Sequence, residues 1–230
     1  MSQITLFGSR LSPFVAKVAQ ALQLKRLGFR EVDVKSPFDL KRWNPTTGKM
    51  PVLELDGERI YDSTFILRRL DEVEPEPPLF AEDPAIAAAQ RLLEDWSDES
   101  LYWYLMALRW AKPNAAATIE QITGSVPSLL RPLVAPLIAR QIGSTSRAQG
   151  LGRLPYDVLI HETGRVLDDL VTLLGRRPFF YADRVGAADL AIYSELRAGL
   201  SGPTPDFAEL VSERPALADH TKRVEDATSA

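Results

Sequence analysis

Two hydrophobic periods divide this chain. Over the first 75 residues they alternate. "QITLF" (3–7) repeats every second residue, as a half-buried strand does. Phe14, Val15, Val18 and Leu22 then recur at helical spacing until Gly28 marks a stop. Ser12-Pro13 opens that helix, because serine is a good N-cap and proline is favoured at the first helical position. "REVDV" (30–34) reads as a second strand and "FDLKRW" (38–43) as a single helical turn. "VLEL" and "ERIY" flank Asp56-Gly57, a pair suited to a two-residue hairpin turn with positive φ. Asp62 or Ser63 then caps the helix "STFILRRLDEV" (63–73). The order β-α-β-(α)-β-β-α describes a small α/β domain with a mixed sheet.

"EPEPPLFAEDP" (74–84) carries four prolines and few residues able to pack, and reads as an interdomain linker. From Pro84 onward only the helical period remains. Asp83-Pro84 is again a cap and first-turn pair, and "AIAAAQRLLEDWSDESLYWYLMALRW" (85–110) reads as one long helix. Residues 115–142 are helical in pattern but carry Pro127, Pro132 and Pro136, which kink or split them. "PYDVLIHETGRVLDDLVTLLG" (155–175), "AADLAIYSELRAGL" (187–200) and 215–224 are further helices, and "EDATSA" (225–230) reads as disordered.

Composition narrows the chemistry. The 230 residues suffice for one large domain or two small ones. A net charge of −4 and a pI near 5.4 argue against general nucleic-acid binding, which needs a basic face. The absence of cysteine excludes disulfides, a redox pair and a thiol nucleophile, and is compatible with the cytosol. His161 and His220 are the only histidines and neither has a ligand-type neighbour at helical spacing, so neither a zinc site nor a Ser-His-Asp triad is expected. "MSQITLFG" lacks the pattern of a signal peptide, and no run reaches about 18 apolar residues, so no membrane span is expected.

Three places carry candidate chemistry, each with a plainer structural reading beside it. Pro51 precedes a strand. A cis Met50-Pro51 bond would turn the backbone of Met50 outward to pair with an extended peptide; a trans bond would merely end a loop. Asp62-Ser63 stands at a helix N-terminus, where free N–H groups and a hydroxyl suit a ligand carboxylate and the acid suits an ammonium; the alternative is capping alone. Ser12 is either an ordinary cap or a hydroxyl donor that stabilises a bound thiolate.

"SPF" at the first helix, "KMPVLELDG" and "DST", in this order, resemble the N-terminal domain of a glutathione transferase, and "LLGRRPFFYADRVGAADLAIYSEL" resembles the loop and buried helix of the same family's helical half. The resemblance implies an α/β plus all-α fold: a thioredoxin-like glutathione-binding domain over 1–75, a linker over 74–84 and an all-helical domain over 84–230. It implies a cis bond before Pro51, pairing of the Met50 backbone with the cysteinyl part of glutathione, Asp62 and Ser63 on the γ-glutamyl group, Lys49 on the glycyl carboxylate, and Ser12 as the activating serine of the serine classes. Phe14, Trp103, Met106 and Trp110 are candidates for an electrophile pocket, although an aromatic stripe at i, i+3 and i+7 is more often core. The family's buried helix usually opens on Ser or Thr; here Gly186 holds that position, with Asp189 still able to reach its N–H.

The expected function is therefore a cytoplasmic, dimeric detoxification enzyme that conjugates glutathione to a small hydrophobic electrophile, with glutathione as co-substrate and no metal. "DSTFIL", "ESLYWYLMALRW" and "GRRPFFYADR" are also similar to a metaxin-like branch of the superfamily, which gives the alternative of a non-catalytic binding or protein-interaction member. The apolar "PSLLRPLVAPLIAR" (127–140) suits domain packing, a dimer contact or a membrane surface.

Overall fold

A computed structural model describes residues 3–34, 37–124, 126 and 128–229. Four strands form a mixed sheet in the order β2-β1-β3-β4, from β1 (Ile4–Phe7), β2 (Arg30–Val32), β3 (Val52–Leu55) and β4 (Glu58–Tyr61). β1 runs parallel to β2 and antiparallel to β3, with Leu6 opposite Leu53. The β3–β4 hairpin turns on Asp56 (φ 49°) and Gly57 (φ 88°), the two positive values that such a turn needs. Two helices, α1 (Pro13–Leu24) and α3 (Ser63–Val73), pack together. A short α2 (Pro37–Trp43) leads into the loop before β3. Leu6, Val18, Leu22, Leu53, Ile66 and Leu70 form the centre of this core. The second strand is shorter than its sequence pattern, ending at Val32.

The rest is helical: α4 (Pro84–Trp96), α5 (Tyr102–Trp110), α6 (Lys112–Ile122), α7 (Arg131–Gln149), α8 (Tyr156–Leu174), α9 (Ala187–Ser201), α10 (Pro205–Ser212) and α11 (Pro215–Ser229). The architecture is thus a thioredoxin-like α/β region followed by helices. Spatial proximity groups the chain into two compact units. One holds Met1–Asp98, Leu174–Ser194 and Asp219–Ala230; the other holds Glu99–Leu173 and Glu195–Ala218.

Several local expectations change. The predicted helix over 85–110 contains a π-helical turn at Ser97–Leu101. Residues 115–142 split into α6 and α7; Pro132 sits in the first turn of α7, Pro136 inside it, and Pro127 lies outside the described residues. α10 was not apparent from the pattern. The C-terminal "EDATSA" was expected to be disordered, yet α11 continues to Ser229 because Val224 and Thr228 are buried. The segment 74–84 also packs more than its prolines suggest. Leu79 is fully buried, its N–H donates to Asp71 (2.9 Å) and its carbonyl accepts from Ala187 N (2.8 Å). Lys25 Nζ donates to the carbonyls of Glu74 and Pro77.

Gly186 explains the departure at the start of α9. A Cβ there would come within 2.9 Å of the Leu79 carbonyl and 3.1 Å of Gln90 Nε2, so Ser or Thr would not fit. Asp189 compensates as expected: its carboxylate accepts from Gly186 N (2.9 Å), and also from Phe180 N and His220 Nε2 (both 2.8 Å). His220 is thereby engaged in a fully buried structural pair.

Candidate active site

Ser12 occupies the N-cap of α1 with extended backbone (φ −82°, ψ 124°), and its carbonyl accepts from Ala16 N (3.0 Å). Its hydroxyl makes no capping bond. The plain capping reading therefore holds for the backbone and not for the side chain, which stays at a helix N-terminus where a developing anion is favoured. Gly8 follows β1 with φ 143°; a Cβ there would press on Val15 and lie 3.3 Å from Met50 Cβ. Glycine at this point lets the β1–α1 loop approach Met50.

The Met50-Pro51 bond is cis. Pro51 is buried at the entry to β3, and Met50 is half-buried against the core. Asn44 shapes the loop before them. Its Oδ1 accepts from Thr47 N (3.0 Å), and its Nδ2 donates to Thr47 Oγ1 (2.8 Å) and the Lys49 carbonyl (2.9 Å). The Lys49 side chain is exposed and forms no ion pair among the described residues. The sequence reading missed Asn44, although an Asn opening a Pro-Thr-Thr-Gly run is a turn signal.

Asp62 is the N-cap of α3, accepting from Thr64 N (2.9 Å), at φ 75° and ψ 134°. A non-glycine residue there is strained by about 1–3 kcal/mol, and such strain gathers at functional sites. Ser63, buried, points its hydroxyl at Asp98 Oδ2 (3.5 Å).

Beneath these groups lies an ion cluster that the sequence did not reveal. Lys17 Nζ meets Glu94 Oε1 (2.6 Å) and Asp98 Oδ2 (2.5 Å), and Thr64 Oγ1 also donates to Glu94 (2.8 Å). Lys17 and Glu94 side chains are each 1 % exposed, so the charges are held almost without water. Burial pushes the Asp98 carboxyl up to about 6, with Lys17 opposing and the Glu94 and Asp62 charges adding. Burial also opposes the charge on Lys17, but the two carboxylates outweigh it and hold its pKa above the usual lysine value. One cation among three acids leaves a local excess of negative charge at the start of α3, which suits a ligand ammonium.

Phe14 is half-buried on α1, in the first unit. Trp103, Met106 and Trp110 are half-buried on α5, in the second. Trp110 lines a cavity within that unit, which Trp103 and Met106 do not. Among the described residues no helix is long and apolar enough to cross a membrane, and no acid or histidine cluster could hold a metal.

Residues 6–78 match the family of the glutathione S-transferase N-terminal domain. Glutathione transferase GST 23 of Zea mays is 28 % identical over 193 residues, covering 82 % of this chain and 69 % of that protein. The isoprene-epoxide glutathione S-transferase of Rhodococcus sp. (strain AD45) is 28 % identical over 227 residues, covering 93 % and 91 %. Among solved structures, apo glutathione S-transferase III superposes with a TM-score of 0.68 at 20 % identity over 99 % of this chain and 96 % of that one. A transferase from Methylobacterium radiotolerans, bound to glutathione sulfonate, gives 0.55 at 27 % identity over 95 % and 94 %. These relatives lend the metaxin-like reading no support. The N-terminal region thus matches the glutathione S-transferase N-terminal domain, and the chain is similar in sequence and in fold to glutathione transferases.

Proposed function

We propose that the protein is a serine-type glutathione transferase acting on a small apolar electrophile. The observation that carries this reading is the Ser12 hydroxyl, free of any capping bond at the N-terminus of α1. In this reading residues 1–75 bind glutathione and residues 84–230 form the helical domain of a homodimer. The tripeptide lies along the Met50 backbone beside cis-Pro51, with its glycyl carboxylate near Lys49. The N–H groups and hydroxyl at Ser63 take the γ-glutamyl carboxylate, and Asp62, in the acid-rich surroundings of Asp98, takes its ammonium.

The glutathione thiol releases its proton to solvent. The Ser12 O–H donates to the sulfur, and the helix N-terminus adds positive potential, so the thiolate persists near neutral pH. That thiolate attacks an electrophilic carbon, forming the C–S bond as halide departs or as an epoxide C–O bond opens and takes a proton from water. No covalent enzyme intermediate is needed; the protein contributes position and electrostatics.

Calorimetric titration with glutathione, followed by conjugation assays with an aryl halide and a small epoxide, tests the reading. Binding, turnover and loss of turnover in Ser12→Ala are expected. Binding without turnover would point to a non-catalytic member, and no binding at millimolar glutathione would overturn the proposal.

A further inference from the structure

Helix α7 buries almost nothing of itself. Of its 19 residues only Ser146 is buried. One side packs on α5, α6 and the short turn Leu151–Arg153. The other side carries apolar residues that nothing in the chain covers. Leu133 and Leu137 are largely exposed, and so is Leu129 just before the helix. At about 100° per residue, Leu133, Leu137, Arg140, Ser144 and Arg147 fall within one arc roughly 80° wide. All five are exposed. This face is therefore apolar toward its N-terminal end and cationic toward its C-terminal end. A contiguous apolar strip rimmed by polar residues marks an interaction surface, whereas a single exposed leucine does not.

The charge of the surface has one sign. From Gln121 to Tyr156 the sequence contains no acid and four arginines (Arg131, Arg140, Arg147 and Arg153), although the whole chain carries a net charge of −4. Of the helices packed on α7, α5 has no acid and α6 has one, Glu120. Arg131 is used inside the fold, donating to the carbonyls of Val126 (2.9 Å) and Gly124 (2.8 Å). Arg140 and Arg147 are not; neither forms an ion pair among the described residues. Arg147 lies in the last turn, where it also complements the helix dipole, but Arg140 lies mid-helix, where the dipole gives no reason for it.

The charge decides what covers the leucines. A second copy pairing about a two-fold axis would lay this face on itself. That would bring the arginines of both copies together across surfaces without acids. A bilayer with anionic headgroups suits both ends of the face: leucines enter the acyl boundary, and arginines meet the phosphates. Among the described residues no helix is long and apolar enough to cross a membrane, so the contact is with the surface.

We propose that the exposed face of α7 docks on an anionic lipid surface, with Leu129, Leu133 and Leu137 inserted and Arg140 and Arg147 on the headgroups. The contact does not depend on the glutathione reading, because its residues belong to the second unit alone.

The test is co-sedimentation of the full chain with lipid vesicles. At low salt, phosphatidylcholine vesicles with about one-third phosphatidylglycerol should retain the protein, and pure phosphatidylcholine vesicles should retain it roughly tenfold less. Leu133→Ser combined with Leu137→Ser should lower the partition coefficient on anionic vesicles by more than about tenfold. Arg140→Gln combined with Arg147→Gln should lower it by about tenfold at low salt, and less as added salt screens the headgroups. All four changes are at exposed positions, so the unfolding midpoint should stay at the wild-type value. No retention on anionic vesicles, equal retention on neutral ones, or undiminished retention of either double variant would each overturn the proposal. So would light scattering without lipid that shows the leucine variant with fewer copies than wild type, since a second copy would then cover the face.

Discussion

Two helix starts in the first unit look alike in sequence and differ in physical use. At α1, Ser12 precedes Pro13 in relaxed extended geometry and leaves its hydroxyl without a capping bond. At α3, Asp62 holds a strained positive φ and commits its carboxylate to Thr64 N. Both are good N-cap types. The first start keeps its polar atom free of a capping bond, whereas the second uses one carboxylate oxygen to cap its own helix. The Lys17 cluster joins them, since Lys17 belongs to α1 while Ser63 and Thr64 belong to α3. A cap motif therefore predicts where a helix begins, and the unbonded atoms decide what else that start can do.

The most severe way to break the comparison is to cut this link. Lys17→Met leaves Glu94 and Asp98 buried without their cation and should destabilise by about 3–5 kcal/mol at neutral pH. Urea denaturation measures this, and the loss should shrink in acid as the carboxylates take protons.

Ser12→Ala should separate activity from stability. Turnover should fall on the order of a hundredfold, as for the loss of one anion-stabilising donor. Stability should change by less than about 0.5 kcal/mol, at or below the usual penalty for losing a cap, because no cap bond is lost. A larger drop in the unfolding midpoint would show that the hydroxyl is a cap after all.

The acid side can be sharpened by pH. The folded Asp98 carboxyl titrates near 6 against 3.8 for its ordinary value. A raised carboxyl pKa adds stability fully below the unfolded value, and that contribution is lost as pH rises through 6. Between pH 5 and pH 7.5 it should remove about 1 kcal/mol, and Asp98→Asn should flatten that part of the profile.

The smallest effect on stability is expected at the strained cap. In Asp62→Gly the lost bond to Thr64 is offset by relief of the positive φ, so stability should stay within about 0.5 kcal/mol. Glutathione affinity, read by calorimetry, should fall roughly tenfold as the partner of the ammonium disappears.

Much of the α/β region was legible because its signals are local. The alternation of 3–7, the Asp56-Gly57 turn and the caps at Ser12, Asp62 and Asp83 each act within a few residues, and each appears at the expected place. Asp189 reaching back to Gly186 was legible for the same reason. The ion cluster was not, because Lys17 lies far along the chain from Glu94 and Asp98 and only folding brings them together. The end of α11, residues 225–229, was misread because its polar sequence gives no local sign that Thr228 is buried. In 127–140 the apolar pattern did not translate into core: Leu129, Leu133 and Leu137 are 89 %, 67 % and 68 % exposed.

The tight seat of Gly186 on the Leu79 carbonyl bears on engineering. A proline-rich stretch between two kinds of secondary structure invites use as a cut site, a place to insert a tag, or the joint of a chimera. Here the backbone near residue 79 is fastened to the first turn of α9 and to Lys25, so exogenous sequence spliced into it would unpick the interior of the first unit. Grafts are better placed at the exposed Gly57 turn, where an added side chain meets no neighbour and only the backbone geometry must be respected.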